Sequence, residues 1–83
     1  MALLIGQKVV KIIRGMPRDD WDRLKERLER IARDPYGQHP DAKRRQDGFF
    51  QVRHGVWRAL YRVTSRNDVD VIHVGHRREV NRP

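Results

Sequence analysis

The sequence contains no cysteine, so neither a disulfide framework nor a thiolate metal site can supplement its core. This absence fits a reducing compartment. The sequence also lacks a long apolar run: residues 1–5 are too short for a signal peptide and far too short to span a bilayer. With 83 residues the chain is too short for two domains or a dinucleotide-binding fold. We therefore expect one soluble, cytoplasmic domain over residues 1–83.

Positive charge is the feature of the composition that points to a partner. Nineteen lysine and arginine residues, most of them arginine, stand against eleven acidic ones and give a net charge of +8. The excess lies mainly in residues 43–83, which carry ten basic and four acidic groups, whereas residues 18–34 carry six of each. The planar donor fork of arginine suits phosphate. This distribution favours a polyanionic partner, above all nucleic acid; a charged surface that only aids solubility is the alternative.

Two amphipathic segments in the first half predict helices. From Asp19 to Arg33, apolar residues recur at three- and four-residue steps, and Asp34-Pro35 ends the pattern. The charged residues of this helix are expected to form a solvated face. A shorter helix is predicted over residues 9–13, closed by Gly15, and residues 3–5 are a candidate edge strand.

The second half has the periodicity of strands. A polar loop is expected up to about Gly48, followed by strand-like runs over residues 49–54, 56–63 and 69–74 that are rich in β-branched and aromatic side chains. Short turns between them predict an antiparallel meander. The expected fold class is α+β, with one or two N-terminal helices packed on a three- to four-stranded antiparallel sheet.

Alternation along the middle strand predicts its two faces. Trp57, Ala59, Tyr61 and Val63 share the face expected to pack on the helices, which makes Trp57 and Tyr61 core residues rather than stacking platforms for RNA bases. The other face, with Arg58, Leu60 and Arg62, is expected to be open and basic.

Two motifs resemble the RelE/ParE toxin superfamily. The run from Gly48 to Val63 resembles its central hairpin, with an aromatic–arginine step, Trp57-Arg58, followed three residues later by Tyr61. The segment Val74-Gly75-His76-Arg77-Arg78-Glu79-Val80 resembles the last strand and basic tail of the RelE branch. With the two predicted helices ahead of them, the resemblance covers roughly residues 7–80.

The resemblance implies a toxin of a type II toxin–antitoxin system. RelE-like members enter the ribosomal A site and cut the mRNA there, are similar in fold to small microbial ribonucleases, and use no metal or other cofactor. The implied partners are a cognate antitoxin, the ribosome with its rRNA, and mRNA, without a membrane. ParE-like members share the fold but inhibit DNA gyrase, and that is the alternative. A catalytically weakened RNA- or ribosome-binding module is a third possibility.

Metal-free RNA cleavage needs an acceptor for the 2′ proton, a donor for the leaving 5′-oxygen, and positive charge around the phosphorane. By the resemblance, Arg58 and Arg77 supply that charge, with Arg53 next. Each of these arginines has an alternative role as a surface residue paired with a carboxylate such as Asp70. The residues expected to make further RNA contacts are Arg62, Arg78, Arg82, Gln51 and His54.

The sequence departs from the RelE-like pattern at two positions. Asn81 stands where these enzymes usually have a tyrosine, and Gln51 where a basic residue is common. Because asparagine cannot act as a general base, His76 is the first candidate to replace the tyrosine and His54 the second. The alternative for His76 is a polar residue at a strand end. The four histidines are too scattered to predict a metal site.

Overall fold

Two helices are followed by most of a five-stranded sheet in the computed structural model, which describes residues 2–76. The elements in chain order are β1 (Leu3–Ile5), α1 (Gln7–Arg14), α2 (Arg18–Arg33), β2 (Ala42–Arg44), β3 (Phe50–His54), β4 (Trp57–Val63) and β5 (Val69–His76). The α+β class is confirmed. Both predicted helices and the three long predicted strands are also confirmed, with ends that differ by at most two residues.

The sheet has the strand order β1-β5-β4-β3-β2 and is mixed. The β1–β5 pair is parallel, and the other three pairs are antiparallel. The prediction of three to four antiparallel strands is therefore too low in number and wrong for one pair. β2 lies inside the segment predicted as a polar loop, because its sequence, Ala-Lys-Arg, is too short and too polar to show a strand period.

One face of the sheet and both helices enclose the core. The fully or almost fully buried residues are Val9 of α1, Met16 of the α1–α2 connection, Leu24, Leu28, Ile31 and Ala32 of α2, and Val52, Ala59, Tyr61, Val69, Val71 and Val74 of the sheet. The prediction that Ala59 and Tyr61 face the helices is confirmed, and Trp57 and Val63 pack against the same core. Within residues 2–76, no helix is both long and apolar enough to cross a bilayer.

A bulge in β5 keeps the apolar side chains of that strand on the helix side. Leu60 pairs with His73 but Tyr61 pairs with Val71, so Ile72 has no partner of its own on β4. Val71 and Val74 are consequently both buried although they are three residues apart, while Ile72 is exposed on the opposite face. Simple alternation would have turned Val74 away from the core.

The β3–β4 hairpin is closed by the predicted His54-Gly55 turn. His54 pairs with Trp57 across a two-residue connection, and Gly55 has a φ of 58°, in the left-handed region that favours glycine. The short turn holds the two strands in register, and this register decides which side chains lie side by side on each face.

Burial of the Tyr61 phenol predicts a pH-dependent stability. The ring is 1% exposed and stacks on Phe50, with ring centroids 5.2 Å apart. Burial disfavours the phenolate and raises the pKa of Tyr61 from 10.0 to about 12. Since tyrosine ionises near pH 10 in the unfolded chain, this stabilisation is complete below pH 10. It should be lost between pH 10 and 12, by at most ~3 kcal/mol.

Urea unfolding at pH 9 and pH 11.5 measures this loss, with Tyr61→Phe as the reference that cannot ionise. The wild type should lose more free energy of unfolding over this interval than Tyr61→Phe. Equal losses would contradict a neutral, buried phenol.

Candidate nucleic-acid interface

Two arginines lie opposite each other on the sheet face that points away from the helices. Arg53 of β3 pairs with Arg58 of β4, and Gln51 pairs with both Leu60 and Lys43 on its neighbouring strands. These positions alternate with the buried ones, so they share the outer face. Like charges directly opposite each other do not stabilise a sheet, so the packing of the inner face sets the register of these two strands.

The arginine pair lines an open groove. A groove of about 270 Å³ on the outer face is bounded by Asp41, Lys43, Gln51, Arg53 and Arg58. We call it the arginine groove. Arg58 is half-buried and Arg53 is exposed. Three cations and one carboxylate bound the groove, so its net charge suits a phosphate group.

Arg62 lies further along the same face and has a partner. Its Nε is 3.0 Å from Oδ2 of Asp70, the residue opposite it on β5. Arg62, predicted as an RNA contact, thus has the carboxylate partner that the sequence left open for Arg53, Arg58 and Arg77. Arg62 is not among the residues that bound the arginine groove, which brings together Arg53 and Arg58.

Both candidate histidines lie on the other side of the sheet from the arginine pair. Trp57 Nε1 donates a hydrogen bond to Asp20 Oδ2 at 3.2 Å, and His54 Nε2 is 3.7 Å from Asp20 Oδ1. The His76 ring meets Trp57 edge-on, with centroids 6.1 Å apart. The sheet therefore separates His76 from Arg58, although the two residues are on neighbouring strands.

The aromatic residues follow the same division. Tyr61 is in the core with Phe50 stacked on it, and Trp57 binds Asp20 of α2 on the helix side. The expectation that Trp57 and Tyr61 pack rather than present a platform for bases agrees with these contacts.

Residues Arg77, Arg78, Asn81 and Arg82 lie outside the described residues.

Three residues near the arginines were not predicted as site residues from the sequence. Asp41 and Lys43 line the arginine groove, and Arg27 reaches Asp41 with an Nη1–Oδ2 distance of 2.9 Å. Arg27 thus departs from the solvated face expected for α2. The sequence carries no local sign of this contact, because it joins a helix to a loop fourteen residues later. Over residues 2–76, no three His, Cys, Asp or Glu side chains are grouped so that they could hold a metal ion.

Comparison with known proteins identifies the family to which this chain belongs. The chain belongs to the family of ParE toxins of type II toxin–antitoxin systems (parDE), whose sequence model matches residues 7–81. The predicted RelE/ParE superfamily is thereby confirmed. No curated protein matches the sequence significantly.

A solved structure shares the fold. The chain is similar to one in the crystal structure of the RelBE2 toxin–antitoxin complex from Mycobacterium tuberculosis, with a TM-score of 0.69 and 21% sequence identity. The match covers 90% of this chain and 95% of that one. At this level of identity the similarity establishes the fold, and it does not identify the target of the toxin.

The contacts of Asp20 predict a structural role for the helix-side cluster. Asp20→Ala removes the acceptor of the Trp57 indole and should lower the free energy of unfolding by about 1 kcal/mol. In a double-mutant cycle with Trp57→Phe, the coupling should be about 0.5–1.5 kcal/mol. Urea unfolding at neutral pH measures it.

Asp19→Ala is the matched control. Asp19 is also in the first turn of α2 and carries the same charge, but it is exposed. Its cycle with Trp57→Phe should show no coupling. Equal coupling for both aspartates would mean that the effect belongs to the helix dipole and not to the indole hydrogen bond.

Proposed function

We propose that this toxin is a ribosome-dependent endoribonuclease that cleaves mRNA in the ribosomal A site and so inhibits translation in the cytoplasm. The observation that carries the proposal is the cross-strand pair of Arg53 and Arg58, placed in a groove on the open face of the sheet. A cognate antitoxin, which the family and the similar complex support, is the partner expected to hold the toxin inactive.

The chemistry requires charge stabilisation first. The ribose 2′-oxygen loses its proton to an acceptor and attacks the adjacent phosphorus, and the bond from phosphorus to the 5′-oxygen breaks as that oxygen gains a proton from a donor. The phosphorane between these states carries extra negative charge. Arg53 and Arg58 can each donate two hydrogen bonds to the phosphate oxygens without changing protonation state. Lys43, on the neighbouring strand, adds a third cation beside them.

The proton acceptor must lie within reach of the same groove. Asp41 is the carboxylate that lines it, whereas His76 is on the helix side of the sheet. Because a general base must approach the 2′-hydroxyl to about 3 Å, the geometry favours Asp41 over His76 for this role. The usual basic residue is replaced here by Gln51, which can donate hydrogen bonds to phosphate but adds no charge.

Gyrase inhibition is the second candidate function. It is favoured by the family model that the chain matches, because that model is built on the ParE toxins of parDE systems. A ParE-like inhibitor would bind gyrase and leave mRNA intact. A toxin with weakened catalysis would bind ribosomes without cutting.

The proposal predicts the loss of cleavage in Arg58→Ala. Removing this guanidinium takes away stabilisation that is needed only in the transition state, so the cleavage rate on programmed ribosomes should fall by about 100-fold or more. Primer extension on the mRNA maps the new 5′ ends of the downstream fragments, with a ribosome-free sample alongside. New ends should lie within the A-site codon and require ribosomes.

Arg66→Ala is the matched control. Arg66 is an exposed arginine in the β4–β5 turn, away from the arginine groove, and its loss should leave cleavage unchanged. Equal unfolding free energies of the two variants confirm that Arg58→Ala is folded. Full cleavage by folded Arg58→Ala would contradict the proposal, and inhibition of supercoiling with intact mRNA would select the gyrase function.

A further inference from the structure

A second groove follows the sheet edge from the arginine groove to helix α2. Two adjoining cavities of about 190 and 250 Å³ lie between α2 and the β2–β3 edge. We call them together the lateral groove. Its lining residues are Arg23, Glu26, Arg27 and Arg30 of α2, with Pro40, Asp41, Lys43, Arg53, His54 and Gly55 of the sheet edge.

The two grooves are continuous. Asp41, Lys43 and Arg53 line both of them. A strand that places one phosphate between Arg53 and Arg58 can therefore continue along the sheet edge. This path leads towards the three α2 arginines and nowhere crosses the apolar core.

The chemistry of the lining excludes an apolar ligand. Five lining residues are lysine or arginine, two are acidic, and the least polar ones are Pro40 and Gly55. Each cavity is also smaller than the ~300–1,000 Å³ typical of small-molecule pockets. The space and the charge fit a row of phosphate groups, and the apolar side chains that an amphipathic partner helix needs are missing from this lining.

The Arg27–Asp41 pair holds one cation at the groove. The two side chains keep 34% and 49% of their exposure, so the pair contributes little to the free energy of unfolding. Its effect is positional: the 2.9 Å contact fixes the guanidinium at the cavity that Lys43 and Arg53 also line. A guanidinium has five N–H donors, and one contact to Asp41 leaves donors for a phosphate oxygen.

We propose that the lateral groove binds the phosphate backbone of the single-stranded RNA that continues beyond the scissile nucleotide, with Arg27 and Arg30 as its principal contacts on α2. The inference rests on the proposed function for the identity of the partner. It adds a site that extends the substrate path from the sheet onto a helix.

Binding of an uncleavable RNA by the full chain tests the proposal separately from catalysis. The probe is a fluorescein-labelled decamer of 2′-O-methyl uridine, which cannot be cut by attack of a 2′-hydroxyl. Fluorescence anisotropy gives its Kd between 50 and 200 mM salt for the wild type, Arg27→Gln, Arg30→Gln and Arg33→Gln. Arg33→Gln is the matched control, because Arg33 is exposed on the same helix and lines a separate concavity with Leu3 and Glu29.

Arg27→Gln should raise the Kd about tenfold, as expected for a lost hydrogen bond to a charged group. It should also reduce the slope of log affinity against log salt by about 0.7, the value for one phosphate contact on a single strand. Arg30→Gln should act in the same direction, and Arg33→Gln should change the Kd less than twofold.

Three results would overturn the proposal. The first is an equal effect of Arg27→Gln and Arg33→Gln, which would mean that α2 contributes to RNA binding only through its net charge. The second is an equal loss of affinity for a decaglutamate peptide, which would make the groove a general anion site suited to an acidic protein. The third is a larger effect on a hairpin RNA than on the single strand.

Failure of this inference and failure of the proposed function give different results. If A-site cleavage depends on Arg58 while Arg27→Gln leaves RNA binding unchanged, only the proposal for the lateral groove is wrong. If RNA binding depends on Arg27 while ribosomes yield no new mRNA ends, RNA binding by the lateral groove is supported and the proposed endoribonuclease function is wrong.

Discussion

The alternation of side chains along β4 is the constraint on which the rest of the structure depends. This strand lies in the middle of the sheet and is paired on both sides. Ala59 and Tyr61 turn inward and are almost completely buried against the helices, which forces Arg58 onto the outer face. A shift of one residue in its register would expose the core and bury two arginines, so the packing of the inner face fixes the position of the basic one.

Pairing then turns single side chains into a site. The tight β3–β4 hairpin sets Arg53 opposite Arg58, and the short β2 strand sets Lys43 beside Gln51. These cations lie side by side because the apolar inner face supplies the free energy of folding and fixes the register. The bulge at Ile72 has a similar effect on β5, since it keeps Val74 in the core while His73 stays on the outer side.

The two faces of the sheet carry different contacts. On the helix side, Asp20 binds Trp57 and lies close to His54, and these contacts tie the beginning of α2 to the hairpin. On the open side, charged residues bound the arginine groove and lead around the sheet edge to Arg27. An exposed surface of this kind can vary in sequence without disturbing the core beneath it.

The sequence by itself determined the helices, the three long strands, the inward face of β4 and the superfamily. These features depend on local periodicity and on motifs that are continuous in the chain. Only the tertiary structure decided which functional side chains meet. It paired the predicted edge strand β1 with β5 in parallel, added β2 to the sheet, placed His76 on the far side from Arg58, and brought Asp41 and Arg27 to the grooves. The physical reason is that strand register and helix–loop contacts join residues distant in sequence, and such contacts leave no period along the chain.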